Sequence, residues 1–254
     1  MAIEACPRRR HRGVLIAVSA SAPTLPRPVI FDQLWSDLAF LHWAVDPATV
    51  APFLPPGTRP DLWEDGSTYV GLVPFRMRRA GPGRGLPIPY LGTFLETNIR
   101  LYSVDDTGRH GVVFRSLDAT RLPVVLAARW GIRIPYEWSS IQASAHGAVR
   151  HYRTRRRWPR PRVTSDLLLK IGPEVQATPL EEFLTRRWGM HSKLGRRGLW
   201  TPNSHEAWPL HSAEILDLHD GLGAAAGFPL VTPPDLRALW SPGVRTQFGR
   251  PTLI

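Results

Sequence analysis

The 254-residue sequence contains one cysteine and only two lysines. Cys6 has no partner in the chain, so no internal disulfide can form, and a single cysteine fits a reducing cytoplasm. No run approaches the ~20 consecutive apolar residues that a helix needs to cross a membrane. Lysine stands only at Lys170 and Lys193, so the other 30 of the 32 basic residues are arginine. There is no HExxH and no GxSxG, which removes the common signatures of zinc proteases and α/β-hydrolases. The segment GPGRG (81–85) lacks the flanking strand, helix and lysine of a phosphate-binding loop. His191, His205 and His211 are spaced unlike any compact zinc motif, so no metal and no other cofactor is expected.

What is abundant is proline (26), glycine (21) and positive charge, with a formal net charge of +11. The first two predict short elements joined by many turns. Hydrophobic residues at 43% are enough for a real core. The densest basic run, RHYRTRRRWPRPR (Arg150–Arg162), offers phosphate contacts to nucleic acid. A solvated strand end and loop accounts for it better, because no helix-turn-helix, zinc-knuckle or RNA-binding signature accompanies it. At the N-terminus, Arg8, Arg9, Arg10 and Arg12 precede Val14–Val18. That imitates a secretory signal, but an apolar run of about five residues is shorter than the ~7–15 such a segment needs. The expectation is a disordered basic extension over 1–27, a single domain over 28–254 and a cytoplasmic location. A homo-oligomer stays open.

FLHWAV (Phe40–Val45) reads as an apolar strand. Asp46 then caps a short helix with Pro47 in its first turn, where a missing N–H costs nothing. DLWEDGSTYVGLVPFRM reads as a hairpin turning at Glu64-Asp65-Gly66. Its second strand places Tyr69, Val73, Phe75 and Met77 on one face and Val70, Leu72 and Arg76 on the other. In FLETNIRLYS, Leu95, Thr97, Ile99 and Leu101 face one way and Glu96, Asn98, Arg100 and Tyr102 the other. The second face either meets solvent or lines a polar pocket. Thr120 is expected to cap a helix with an apolar stripe of Leu122, Val125, Leu126 and Trp130, closed by a left-handed Gly131. Thr178 and Pro179 open another helix. DLRALW offers at most one or two helical turns. Strands outnumber helices, which points to an α+β fold with a mainly antiparallel, partly closed, barrel-like sheet.

Six segments in order, FLHWAVDPATVAPFLPPG, YVGLVPFRMR, ETNIRLY, FRSLDATRLPVVLAAR, FLTRRWGMH and HEAWPLHSAEI, give the chain its resemblance to the YqjF-like family. This is a bacterial domain-of-unknown-function family with no assigned activity. The resemblance runs from about Pro28 to Gly249. It implies the acetoacetate-decarboxylase-like fold, a partly closed antiparallel β-barrel with short helices outside and a central pocket. In those decarboxylases a segment of the type VDNDAAIAAGREIYGFPKK ends in a lysine pair, one member of which forms a Schiff base. Here LDATRLPVVLAARWGIRIPYEW (Leu117–Trp138) is similar, with Asp118 at the acidic position and Ile134-Pro135 before the lysine sites. Those sites hold Tyr136 and Glu137. Neither is an amine, so neither can form an imine. Lys170 and Lys193 are expected at the surface.

The resemblance also points to Glu96 as the strand carboxylate facing a bound substrate. With it, Asn98 and Arg100 are candidate ligand contacts, Arg100 as a carboxylate anchor. Tyr136 either donates a hydrogen bond to a ligand oxygen or plugs the barrel. His42, Arg76 and Asp118 are weaker candidates. TPNSHEAWPLH is expected to fold over the barrel mouth with Trp208 inward. The functional expectation is a pocket for a small organic molecule, anionic or carbonyl-bearing, with Glu96 as acid or base if there is a reaction. A nucleic-acid-associated protein and a barrel plugged by its own side chains are the competing readings.

Overall fold

The computed structural model of the protein describes residues 19, 21–159, 162–230 and 233–254. Residues 1–18 of the expected basic extension and Arg160 of the basic run lie outside the described residues. The carbonyl of Ser19 is held by Trp188 Nε1 at 2.9 Å, so the chain before Pro28 touches the domain. The described residues form β1 (Phe31–Val45), α1 (Pro47–Val50), β2 (Thr58–Pro60), β3 (Thr68–Pro82), β4 (Phe94–Asp105) and β5 (His110–Ala119). There follow α2 (Leu122–Ala127), β6 (Tyr136–His146), β7 (Val149–Trp158), β8 (Thr164–Glu174), α3 (Pro179–Thr185), β9 (Gly189–Leu194) and β10 (Arg197–His205). The chain ends with β11 (His211–Asp220), α4 (Leu222–Ala226), β12 (Ala238–Phe248) and β13 (Thr252–Leu253). No helix among the described residues is long and apolar enough to cross a membrane.

The sheet is mainly antiparallel and returns on itself twice. The ladder runs β5-β6-β7-β8-β11-β12-β1-β3-β4, and β4 pairs back to β5. A second circuit leaves β12 for β10 and β9 and reaches β5 again. The closing ladders are short. Three residue pairs join β5 to β6 in parallel, three join β10 to β12, and one joins β5 to β9. The α+β expectation with a partly closed sheet therefore describes the fold.

Strands β12, β1, β3, β4 and β5 belong to both circuits, which is why β4 is buried on nearly every residue. Its Ile99 and Leu101 join Leu41, Val70, Leu72, Leu167 and Leu169 in one core. The opposite face meets a second core built from Phe40, Val73, Phe75, Phe94 and Trp208. Strict alternation assigned these faces correctly. Of its two readings of the Glu96 face, solvent is the one the fold rejects.

Local chemistry sets the helix ends. Asp46 Oδ1 accepts from Ala48 N at 2.8 Å, as a cap should. Thr178 and Glu181 form a reciprocal capping box on α3. Other expectations need correction. Thr120 does not cap α2: its hydroxyl accepts from Leu95 N at 3.3 Å, so it braces β4 instead. The left-handed residue after that helix is Arg133 (φ 54°), not Gly131, because five residues of π-helix extend the turn. The longer turn carries Trp130 out of the stripe, and it is 74% exposed. Residues 61–63 make no arm of a hairpin. Gly66 does turn with φ 86°, but the strand before it, β2, pairs with β4. DLRALW is no helix, since Ala238–Trp240 begin β12.

Candidate functional site

Glu96, Asn98, Arg100 and Tyr102 project from β4 into the second circuit. They share that space with His42 and Phe40 of β1, Phe75 of β3 and Trp208. Glu96 is opposed by Phe75 on one side and Ala119 on the other, both apolar. Its carboxyl is fully buried, and burial pushes its pKa from the ordinary 4.5 up to about 8. Hydrogen bonds from Tyr136 and Asn98 favour the anion, and the charge of Asp118 disfavours it, but burial prevails. Tyr136 enters from the first residue of β6 and donates its phenol to Glu96 Oε2 at 2.9 Å. Its own pKa is held well above 10 by burial and by Glu96. Near neutral pH the pair is a carboxylic acid and a phenol, both protonated. Oδ1 of Asn98 beside them is buried without a hydrogen-bond partner among the described residues.

Farther along the strand, Arg100 Nε donates to Tyr102 Oη at 3.0 Å and its Nη2 to the carbonyl of Leu184 at 3.1 Å. Its guanidinium carbon lies 5.4 Å from the ring centres of Phe40 and Tyr102. His42 Nε2 is 2.7 Å from the same phenol oxygen. Burial, then the charges of Arg100 and Arg187, push the His42 pKa well below 6.5, so the ring is neutral. Five sequence candidates thus meet in one interior: Glu96, Asn98, Arg100, Tyr136 and His42.

Arg76 and Asp118 do not join them. Arg76 lies on the other face of β3, with Nε 3.7 Å from Asp37 Oδ2. Asp118 is opposite Thr97 and projects into the first circuit, because the side-chain period is two and Glu96 is one residue out of step. There Arg156 clamps it with two bonds, Nε to Oδ1 at 2.8 Å and Nη2 to Oδ2 at 2.7 Å, and Ser139 adds a third at 2.6 Å. This satisfied pair is a brace inside the core. It also takes one arginine out of the basic run. Arg153 is paired with Asp166 at 2.8 Å, while Arg150 and Arg157 stand over Trp240 and Trp138. The run is therefore divided by strand alternation, with Arg156 buried in the core and Arg153, Arg155 and Arg157 on the exposed face of β7.

Sequence reasoning missed two contributors, His205 and Arg187. His205 at the end of β10 packs against Trp188, Trp208 and Trp35 with ring centres 4.7, 5.0 and 6.5 Å away. Burial lowers its pKa to about 4. Trp208 packs inward as expected, edge-on to Phe40 at 5.2 Å, and donates Nε1 to the carbonyl of Thr185 at 3.0 Å. Arg187, directly after α3, stacks over Tyr102 at 4.8 Å and pairs with Asp61. The only signal for it was its place in FLTRRWGMH, in a chain where arginine is too common to stand out.

Lys170 and Lys193 are both exposed. Among the described residues no group of three or more His, Cys, Asp or Glu side chains could hold a metal ion. A cavity of about 380 Å³ opens elsewhere, between the end of β1, α1 and the segment after α4. Trp43, Asp46, Phe228, Leu230 and Asp235 line it, and none of the candidate residues does. The chemistry favours the β4 interior, where polar groups are buried, perturbed and incompletely paired.

Comparison with known proteins gives the site a frame. The model of the DUF2071 family, described as an uncharacterized conserved protein, matches residues 32–245. The uncharacterized protein YqjF of Bacillus subtilis (strain 168) is 28% identical over 188 residues, covering 73% of this chain and 76% of its own length. The enduracididine biosynthesis enzyme MppR, solved with pyruvate, superposes with a TM-score of 0.61 over 92% of each chain at 15% identity. Acetoacetate decarboxylase from Legionella pneumophila superposes with a TM-score of 0.62 over 94% of this chain and 93% of its own, at 11% identity. Such identities establish a shared fold and nothing finer.

Proposed function

The chain belongs to the DUF2071 family, and from that premise we propose that it binds a small organic molecule, anionic or carbonyl-bearing, in the interior faced by Glu96, Asn98 and Arg100. The observation that carries this reading is the row itself. A protonated acid, an amide with an unused oxygen and a guanidinium share one buried strand face among aromatic rings. Buried polar groups in native proteins are nearly always paired, and a site that leaves several underused suits a ligand that completes them. The shared fold supports the same reading, since MppR, which superposes on this chain, was solved in complex with pyruvate.

The chemistry proposed differs from imine formation. Tyr136 and Glu137 stand where the resemblance places the lysine pair, and both lysines of the chain are exposed. Where binding is coupled to reaction, Glu96 is the acid or base. A carboxyl with a pKa of about 8 holds its proton at neutral pH, yet exchanges it without a large energetic cost. A hydrogen-bond donor of this kind, with Tyr136 beside it, suits the oxygen of a carbonyl group.

Native and denaturing mass spectrometry of the freshly purified protein tests the reading. A small organic molecule present under native conditions and lost on denaturation is the expected result, with reduced occupancy in Glu96→Gln. The reading fails if the two masses agree and no small carbonyl compound or carboxylate shifts the melting temperature of the wild-type chain.

A further inference from the structure

We propose that Arg187 is the anchor for a ligand carboxylate, taking its two oxygens on the Nε and Nη2 edge of the guanidinium. This rests on the small-molecule reading above and adds to it the charge of the ligand and the residue that reads it.

Arg187 leaves α3 through a tight turn in which its N–H reaches the carbonyl of Thr185 at 3.1 Å. The turn directs the side chain inward, where the residue is 3% exposed. One end of the guanidinium is occupied, with Nη1 paired to Asp61 Oδ2. Two rings pack against it as well, Phe183 at 4.2 Å and Tyr102 at 4.8 Å. The remaining edge is not occupied. Nε and Nη2 are both buried and have no hydrogen-bond partner among the described residues. An arginine presents its donors as a rigid planar fork, and two parallel N–H groups match the two oxygens of a carboxylate.

The charge balance points the same way. Arg100 and Arg187 flank one ring, that of Tyr102, and each carries a positive charge. Between them they have one carboxylate, Asp61, which His110 also contacts at 2.8 Å. Arg100 is bonded to a phenol and a backbone carbonyl, with no acidic partner among the described residues. Glu96 is protonated, and His42 is neutral. A buried charge without a counterion is costly, so the cluster is one negative charge short. A monocarboxylate seated on the open edge supplies it. The walls are Phe40, Tyr102 and Phe183, which favour a small planar anion over a tetrahedral phosphate that needs more donors.

The test uses the full chain, with sodium pyruvate, its neutral amide pyruvamide and inorganic phosphate as probes, all at matched ionic strength. Pyruvate is expected to raise the melting temperature, and pyruvamide and phosphate to leave it unchanged. Arg187→Lys keeps a positive charge for Asp61 but removes the fork, and is expected to weaken pyruvate binding at least tenfold by calorimetry. Circular dichroism checks that this variant folds; if it does not, the three-probe comparison on the wild type decides alone. Lys193→Ala, an exposed change outside the site, should retain pyruvate within about threefold. The proposal falls if pyruvamide or phosphate matches pyruvate, or if folded Arg187→Lys binds pyruvate as the wild type does. A neutral co-purified compound retained by Arg187→Lys would overturn the anchor while leaving the small-molecule reading intact. A wild-type chain indifferent to every probe, and with nothing co-purified, would overturn both.

Discussion

The phenol of Tyr136 donates a 2.9 Å hydrogen bond to Oε2 of Glu96, forty residues earlier in the chain. The resemblance to decarboxylases places a lysine at or beside Tyr136, so an amine position has become a donor to a buried acid. Tyr136→Phe removes that donor and little else. The bond favours the Glu96 anion, so losing it should raise the Glu96 pKa further above the ordinary range. The stability cost should be ~1 kcal/mol, the usual net worth of one hydrogen bond, measured by urea unfolding at neutral pH. Infrared spectroscopy should show the band of a protonated carboxyl in the wild type at pH 7, and Glu96→Gln should lack it. A wild type without that band would refute the assignment.

Glu96 gives the protein a pH dependence of defined sign. In the unfolded chain the carboxyl titrates near 4.5, and in the folded chain near 8. The folded state therefore binds the extra proton between those values, and stability falls as pH rises through that window. The slope from this group is at most ~1.4 kcal/mol per pH unit. Glu96→Gln should remove it, so the variant gains on the wild type as pH is raised from 5 to 8. Parallel unfolding curves for the two proteins across that range would contradict a buried, protonated Glu96.

Much of this arrangement was legible in the sequence because alternation on a strand is rigid. Once ETNIRLY is a strand, Glu96, Asn98 and Arg100 must share a face. Alternation does not say what covers that face. Here the second sheet circuit does, through short ladders between β5, β9, β10 and β12. Asp118 was placed by the family resemblance and not by alternation, and it lies outside this interior because its register partner is Thr97 and not Glu96. Arg76 failed for the same reason, being one step out of phase with Phe75. Arg187 was invisible because its role depends on a turn after α3 and on Asp61, far away in sequence. Neither contact leaves a local pattern.

An imine-forming lysine needs a pocket that activates its amine and holds the carbonyl compound against it. Lys170 and Lys193 are both exposed. Incubation with acetoacetate and borohydride should therefore leave the mass of the protein unchanged. A stoichiometric adduct mapped to either lysine would restore the decarboxylase-type mechanism and displace Glu96 from the centre of the site.

Three histidines set the acid limit. Burial lowers His42 well below 6.5, and it lowers His191 and His205 to about 4 against partly opposing contacts from Asp105 and the Glu206 carbonyl. These rings stay neutral in the folded chain while they protonate near 6.5 in the unfolded one. Their contribution is complete above pH 6.5 and is lost as pH falls from there towards 4. Each adds a slope of at most ~1.4 kcal/mol per pH unit, partly offset by Glu96, which works in the opposite sense. Urea midpoints should drop between pH 6.5 and 4.5. His205→Asn should make that drop shallower, and an unchanged slope would mean that His205 is protonated in the folded protein.

The last prediction concerns Asp118 and Arg156, which the fold uses as a brace and not as a site. Their side chains are almost wholly buried and joined by two bonds, with Ser139 closing the carboxylate. Removing one partner leaves the other charge buried and uncompensated, which typically costs ~3–5 kcal/mol. Asp118→Asn should therefore destabilise strongly. The double change Asp118→Leu with Arg156→Met removes both charges and should recover much of the loss, since a buried pair is often replaceable by apolar packing. Because the pair lies in the first circuit, across the sheet from Glu96, the double variant should bind small molecules as the wild type does. A folded double variant that has lost binding would move Asp118 back into the site.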